Sequence, residues 1–319
     1  MTHRSPLALG LDAGGTQTCW AVASSDGQVL ASGAVGGMSA LQMSDGVGRD
    51  ALAQELAELV RQVSAQGSVL SVCAGFSGAG APGDPATTEL QSALAQALQL
   101  ESEKVRVCSD IELAYRDIFA PGAGYLVYAG TGSIAAFMSA SGELQRAGGR
   151  GGLLDDAGSG FWIAREALRQ IWRKEDVQPG AWRDSVMAQR VFEYIGGSDW
   201  DSSRRFVYGG TRGAMGQLAQ AVAAAAPEDP VALQILQQAG VELARLGAAL
   251  VARWGPRPIA LGGRAAFLHP AIAQAMRSAL PADQALERVN IQGHVAAARM
   301  ALLKPCGTDR SAPALSSTE

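Results

Sequence analysis

Apolar positions in this chain follow two rhythms. Short unbroken runs of strand length alternate with longer stretches in which apolar residues recur every three or four positions. The stretch "LGLDAGGTQTCWAVASSDGQVLASG" (9–33) reads as strand, Ala-Gly break, strand, Gly-containing turn, strand. Helical spacing is next, over 48–66, then a β-rich run at 68–80 that ends in glycines. Asp-Pro opens a helix at 84–100, and 104–116 reads as a short strand ending on Ser109-Asp110 and then a helix. A glycine loop and an amphipathic helix occupy 148–172, helices fill most of 183–254, and 258–280 reads strand, Gly-Gly, helix. A short strand and a closing helix are expected over 289–303. Strands alternating with helices predict an α/β fold, and 319 residues predict two domains.

The first hairpin has a counterpart. "LVYAGTGSIAAFMSASGELQRAG" (126–148) repeats the order strand, Ala-Gly, strand, turn, strand, and the turns "SSDGQ" and "SASGE" both carry the glycine of a tight hairpin. Matching halves predict a duplicated architecture in which each half opens on a glycine-broken hairpin.

Composition narrows the function. The chain is 48% hydrophobic and 18% charged with a net charge of −4, and only three of its 26 basic residues are lysines. No Lys/Arg run is present, so neither a nucleic-acid surface nor an anionic-membrane surface is expected. No signal-like or membrane-spanning apolar stretch is read in it, and Cys19, Cys73, Cys108 and Cys306 are far apart. A cytoplasmic protein without a dedicated Cys/His metal site is the expectation.

The glycine breaks carry the candidate chemistry. Gly14 and Gly15, and Gly130 and Gly132, let backbone approach a ligand and gather N–H groups into an anion-binding nest. Thr16, Thr18, Thr131 and Ser133 could add hydroxyl donors, with Ser133 open to a plain turn role. Two nests facing each other would grip a polyphosphate from both sides; ordinary bulged hairpins are the alternative. Asp12 precedes the first nest where Tyr128 precedes the second. An acid beside a phosphate needs a cation between them, so Asp12 is either a Mg²⁺ position, reached through water, or a turn cap. Asp110, where a strand gives way to a helix, is either a general base for an attacking hydroxyl or, with Ser109, a helix cap. Asp155 and Asp156 are either turn residues or acceptors for sugar hydroxyls. A Walker A loop is excluded, because Lys104, Lys174 and Lys304 do not follow glycine. The Gly78/Gly80/Gly83 spacing of a dinucleotide site is weak, since Pro82 removes a donor from the turn.

The motifs "DAGGTQT", "AGFSGAG", "CSDIELA", "AGTGSIAAF", "GGRGGLLDDAGSGFWIA" and "ALGGRAAFL" resemble, in this order, those of the sugar kinase/heat-shock ATPase/actin superfamily. Within it the chain is similar, over roughly residues 7–303, to the N-acetylglucosamine kinase branch, which includes glucosamine kinases and BadF/BadG-type ATPases. The resemblance implies two actin-like (ribonuclease H-like) domains around a cleft for ATP, Mg²⁺ and an aminosugar phosphorylated on its 6-hydroxyl. It implies Asp12 at the metal, Asp110 as base, both glycine loops at phosphate and Gly262 and Gly263 at the adenosine. Asp156, Ser39, Ser77, Gly78 and Gly151 fall near the sugar. The expected domains are 1–114 and 115–291, with a closing helix at 292–304 packing back onto the first and a disordered tail at 305–319. A homodimer with a small-molecule sugar and ATP as its partners is also implied. Departures cluster on the sugar side: Gly149-Arg150-Gly151 for Gly-Trp-Gly, Ala157 for Glu, and Ser39 for Asn. If Arg150 reaches the site, its charge opposes a protonated amine and favours the acetylated sugar. The other readings are a glucosamine kinase, a partner-coupled ATPase or a sugar sensor without turnover.

Overall fold

The computed structural model describes residues 6–80 and 83–303. The first sheet is built from β1 (Leu7–Ala13), β2 (Gln17–Ala23), β3 (Val29–Gly36), β4 (Val69–Phe76) and β5 (Val105–Ser109), in the order β3-β2-β1-β4-β5. Its hairpin strands are antiparallel, and β1, β4 and β5 are parallel. The helices of this half are α1 (Gly46–Ser64), α2 (Pro85–Leu98) and α3 (Asp110–Ile118).

The second sheet contains β6 (Tyr125–Ala129), β7 (Ser133–Met138), β8 (Leu144–Gly148), β9 (Ile259–Gly262) and β10 (Leu286–Arg288). Read from the other edge its order is β8-β7-β6-β9-β10, with antiparallel hairpins and parallel β6, β9 and β10. This is the first sheet again, so the duplication read from two loops extends to whole sheets. The turns repeat as well. Gly27 (φ +83°) and Gly142 (φ +84°) adopt the left-handed region in equivalent hairpins, where a side chain would be strained.

Between β8 and β9 run α4 (Gly160–Val177), α5 (Val186–Ile195), α6 (Trp200–Gly209), α7 (Arg212–Ala225) and α8 (Pro230–Trp254). Helix α9 (Pro270–Ala279) comes after β9 and packs on α8. The larger core lies here, where α8 crosses β6, β7 and β8 and buries Leu236, Leu243 and Leu250.

The last of the described helices, α10 (Gly293–Met300), returns to the first sheet and packs on β1, β2, β4 and α3. This contact is close. A Cβ on Gly10 of β1 would collide with the backbone of His294 and Ala298. The helix accordingly presents small residues, Ala297 and Ala298, to the sheet. Helix α3 covers the second sheet with bulkier residues, Ile111 and Tyr115 against Leu126 and Met138. The strand expected at the start of 289–303 lies earlier, at Leu286–Arg288. Val289 and Ile291 instead pack against the cluster beneath α3. Of the tail expectation, 304–319 lies outside the described residues, as do Cys306, Lys304 and Pro82.

Candidate functional site

In each parallel set the carboxyl ends of the strands point toward the same region, where α/β sheets collect ligands. Asp12 lies at that end of β1, opposite Gly75 of β4. Position 75 has no room for a side chain, because an added Cβ would stand 3.2 Å from the Cα of Asp110 and 2.9 Å from the Leu113 side chain. Ser109 caps α3 by accepting from the Glu112 N–H, so Asp110 is the first helical residue and not the cap. One Asp110 carboxylate oxygen accepts from the Ile111 N–H at 2.8 Å and the other from the Ser77 hydroxyl at 2.5 Å. The Ser77 carbonyl in turn accepts from the Ser39 hydroxyl at 2.9 Å. Ser39, Ser77 and Asp110 thus form one chain at the sheet edge, with Gly78 (φ +80°) exposed beside Leu41.

The hairpin tips differ in what they leave open. In the first, the Gly14 N–H donates to the Gln17 carbonyl at 3.1 Å; in the second, the Gly130 N–H donates to the Gly132 carbonyl at 2.9 Å. The N–H groups of Gly15, Thr16, Thr131 and Gly132 make no backbone bond among the described residues. Four amides therefore remain for a ligand, and Gly14 and Gly130, each expected to offer one, use theirs within the turns. Two hydroxyls are also reassigned. Ser133, expected as a further donor, gives its proton to the Ala157 carbonyl at 2.8 Å and is 3% exposed. Thr18 is fully buried and accepts from the Met38 N–H at 3.1 Å. Thr16 and Thr131 stay outward, exposed and half-buried.

The second sheet adds Gly262, paired with Tyr128, and Gly263 (φ +91°). A Cβ on Gly263 would meet the Ala129 carbonyl, so only glycine lets β9 turn against the second hairpin tip. Asp156 is 2% exposed and adopts φ +51°, a left-handed conformation that a non-glycine residue holds only under constraint. The Gly151 loop (φ +92°) lies on one side of it and Gly132 on the other, with the Asp156 Oδ2 2.8 Å from the position of a Gly132 Cβ.

A match to the BadF/BadG/BcrA/BcrD ATPase family spans residues 9–298, nearly the whole described chain. The chain belongs to this family. Among solved structures, a proposed N-acetylglucosamine kinase from Chromobacterium violaceum is 25% identical with a TM-score of 0.71, over 94% of this chain and 99% of the other. A proposed N-acetylglucosamine kinase from Porphyromonas gingivalis aligns at 18% identity and a TM-score of 0.73, over 92% and 98%. A ROK family glucokinase from Streptomyces griseus, solved with glucose and AMPPNP, shares the fold at 19% identity and a TM-score of 0.59, over 92% and 98%. The architecture of this family member is therefore the two-domain actin-like fold.

Electrostatics single out the acid of the first hairpin. Burial, together with the charges of Asp110 and Asp117, pushes the Asp12 carboxyl up to about 6, against the pull of Arg264. Burial and the charges of Asp12 and Asp110 push the Tyr128 phenol up to about 12. The charge of Asp110 thus acts on both Asp12 and Tyr128, three half-buried residues brought near one another from three elements. Three further residues of the site escape the sequence reading. Asp117 accepts from the Gln292 N–H at 2.9 Å and so fastens the start of α10, whose Gly293 lies against the Asp12 carboxylate. Arg264 comes after Gly263 and sets a positive charge toward Asp12. Arg212 pairs with Asp156 at 2.5 Å. Asp117 and Arg212 sit in helices with no motif around them, so no local signal finds them; Arg264 stands inside "ALGGRAAFL", where the two glycines drew the reading and the arginine did not. Asp155, the other acid of that loop, pairs outward with Arg245 at 3.1 Å.

Proposed function

We propose that this family member is an ATP-dependent kinase acting on the 6-hydroxyl of an aminosugar, with N-acetylglucosamine as the preferred substrate. The observation that carries it is Asp110: a half-buried acid at the carboxyl end of β5, oriented by Ser77 and close enough to a second acid, Asp12, for its charge to act on it. The similarity in fold to proposed N-acetylglucosamine kinases supports the substrate class. In this reading Asp110 orients the sugar hydroxyl and accepts its proton, while the four open amides of Gly15, Thr16, Thr131 and Gly132 cradle the phosphates. Phosphoryl transfer asks mainly for alignment and charge neutralisation, which two jaws facing one another can supply. The jaws are residues 1–114 with the closing helix, and residues 115–291.

Among the described residues no three His, Cys, Asp or Glu side chains are grouped to hold a metal by themselves. This fits Mg²⁺, which keeps its water and takes phosphate oxygens, with Asp12 as the protein's anionic neighbour. When bound, the ion neutralises phosphate charge; Asp12 has to be ionised to serve it. Asp156 supports the sugar side, with Gly151 and Gly78 at its rim. Ser39 gives its proton to the Ser77 carbonyl, so it positions Ser77 and does not donate to a sugar.

Glucosamine is the second substrate to test, because Arg150 is exposed and its charge is screened by water. A partner-coupled ATPase built around a metal cluster would require accessible thiols; among the described residues Cys73 and Cys108 are buried in the first sheet and Cys19 is half-buried. The deciding experiment compares kcat/KM for N-acetylglucosamine, glucosamine, N-acetylmannosamine and glucose with ATP-Mg²⁺. We expect N-acetylglucosamine to lead. A lead for glucose would overturn the aminosugar assignment, and sugar binding without turnover would leave a sensor.

A further inference from the structure

Arg212 occupies the first position of α7, fixed there by its Thr211 cap, which accepts from the Ala214 N–H at 3.1 Å. The start of this helix is wedged between the two hairpin tips. A Cβ on the next residue, Gly213, would collide with the Thr16 side chain of the first tip, and one on Gly216 would lie 3.2 Å from the Thr131 side chain of the second. The Arg212 guanidinium lies 3.3 Å from the position of a Gly132 Cβ and 6.0 Å from the centre of the Phe161 ring. Among the described residues its sole acceptor is the Asp156 carboxylate, and its side chain is 56% exposed while that of Asp156 is 3% exposed. The pair is therefore lopsided: a buried acid, and an arginine most of whose five donors face outward beside two sets of open amides.

Resting on the kinase reading, we propose that Arg212 is a charge switch that couples nucleotide and sugar: its guanidinium exchanges the Asp156 carboxylate for the terminal phosphate of ATP, and the released Asp156 accepts a sugar hydroxyl. A planar fork suits phosphate at least as well as carboxylate, and phosphate brings more charge. Backbone N–H groups of Gly151 and Ser133 stay with the Asp156 carboxylate, but once its arginine leaves the buried charge has lost its counter-charge and gains from a further donor. The incoming hydroxyl supplies it. Burial already raises the Asp156 pKa against the pull of Arg212, so losing the arginine makes a donor at that position more valuable. The two ligands consequently bind more tightly together than apart, and by linkage each helps the other by the same factor.

The experiment measures binding of AMPPNP and of N-acetylglucosamine by calorimetry, singly and together, in the wild type and in Arg212→Ala, Arg212→Lys and Asp156→Asn. Thermal melts confirm that each variant is folded. In the wild type, AMPPNP should tighten sugar binding by about fivefold or more. Arg212→Ala should weaken AMPPNP by about tenfold or more and bring the coupling factor close to one. Arg212→Lys, which keeps the charge and loses the fork, should fall between, and it carries the test alone if the alanine variant does not fold. Asp156→Asn gives the opposite sign for the two ligands: AMPPNP should bind as tightly as in the wild type or more so, while sugar binding falls. A purely structural pair would weaken both. Folded arginine variants with wild-type AMPPNP affinity and coupling would overturn the switch and leave the kinase reading standing. Asp156→Asn weakening both ligands would do the same. Absence of AMPPNP binding to the wild type would overturn both.

Discussion

The two hairpin tips are built alike and equipped differently. Both stand between antiparallel strands in sheets of the same order, and both close with one glycine N–H inside the turn. Asp12 pairs with Gly75 where Tyr128 pairs with Gly262, so an acid in one jaw takes the place of a phenol in the other. The exchange has a structural counterpart two residues earlier. Gly10 of β1 corresponds to Leu126 of β6, because α10 lies against the first sheet at backbone distance and α3 lies on the second through side chains. The close helix brings Gly293 against the Asp12 carboxylate, which is half-buried. Duplication thus supplied two glycine loops of one design, and burial and neighbouring charges raise the acid of the first to about 6. In the first jaw the acid stands on the hairpin itself, whereas in the second the charges, Asp156 and Arg212, stand outside the hairpin on the loop before α4 and the start of α7.

The sharpest way to break this division is at Asp110, the acid proposed as the base. Asp110→Asn should lower kcat by about 10²–10⁴ while leaving AMPPNP affinity unchanged. A loss below about tenfold, equivalent to about 1.4 kcal/mol, would leave Asp110 as a mere helix-start residue.

The packing half of the comparison is tested by giving the first jaw the second jaw's residue. Gly10→Leu should cost about 3 kcal/mol or more, because the obstacle is backbone and cannot rotate away. Urea unfolding checks it, and an unchanged midpoint would mean that α10 does not pack as described.

The raised pKa of Asp12 makes a signed prediction. The folded protein holds a proton on Asp12 that the unfolded chain has released between its ordinary value of 3.8 and about 6. Stability therefore falls as pH rises through that window and stays lower above it. Asp12→Asn, which carries no charge, should gain up to about 3 kcal/mol at pH 8, and the gain should fade below pH 4. Thermal melts at the two pH values decide it. Destabilisation at pH 8 would make Asp12 a turn cap, whose hydrogen bonds outweigh its burial.

The smallest effect is expected at the loop the two jaws do not share. Arg150→Ala should change the ratio of kcat/KM for N-acetylglucosamine over glucosamine by less than about twofold, since an exposed charge is screened. A larger shift would bring Arg150 back as a specificity residue.

Much of this architecture is legible in the amino-acid order. The Ala-Gly breaks, the turns with Gly27 and Gly142, and the strand-to-helix change at Asp110 are local signals, and all fall where expected. The hydroxyls are harder. Ser133 and Thr18 stand in a motif that reads as a row of donors, yet Ser133 gives its proton to Ala157 and Thr18 is buried against Met38. Their partners lie 24 and 20 residues away, beyond the reach of any turn rule.

The sequence by itself determined where the backbone turns, which strands form hairpins, and which acids stand at strand ends, because these depend on glycine freedom, periodicity and neighbours within a few positions. Tertiary structure alone decided which acid is buried and what each charge meets. Arg212 reaches Asp156 across 56 residues of sequence, and Asp117 holds the start of α10 across 175. Such pairs arise from the packing of α7 and α10, and the energy that selects them is spread over whole helix faces whose partners no local pattern names.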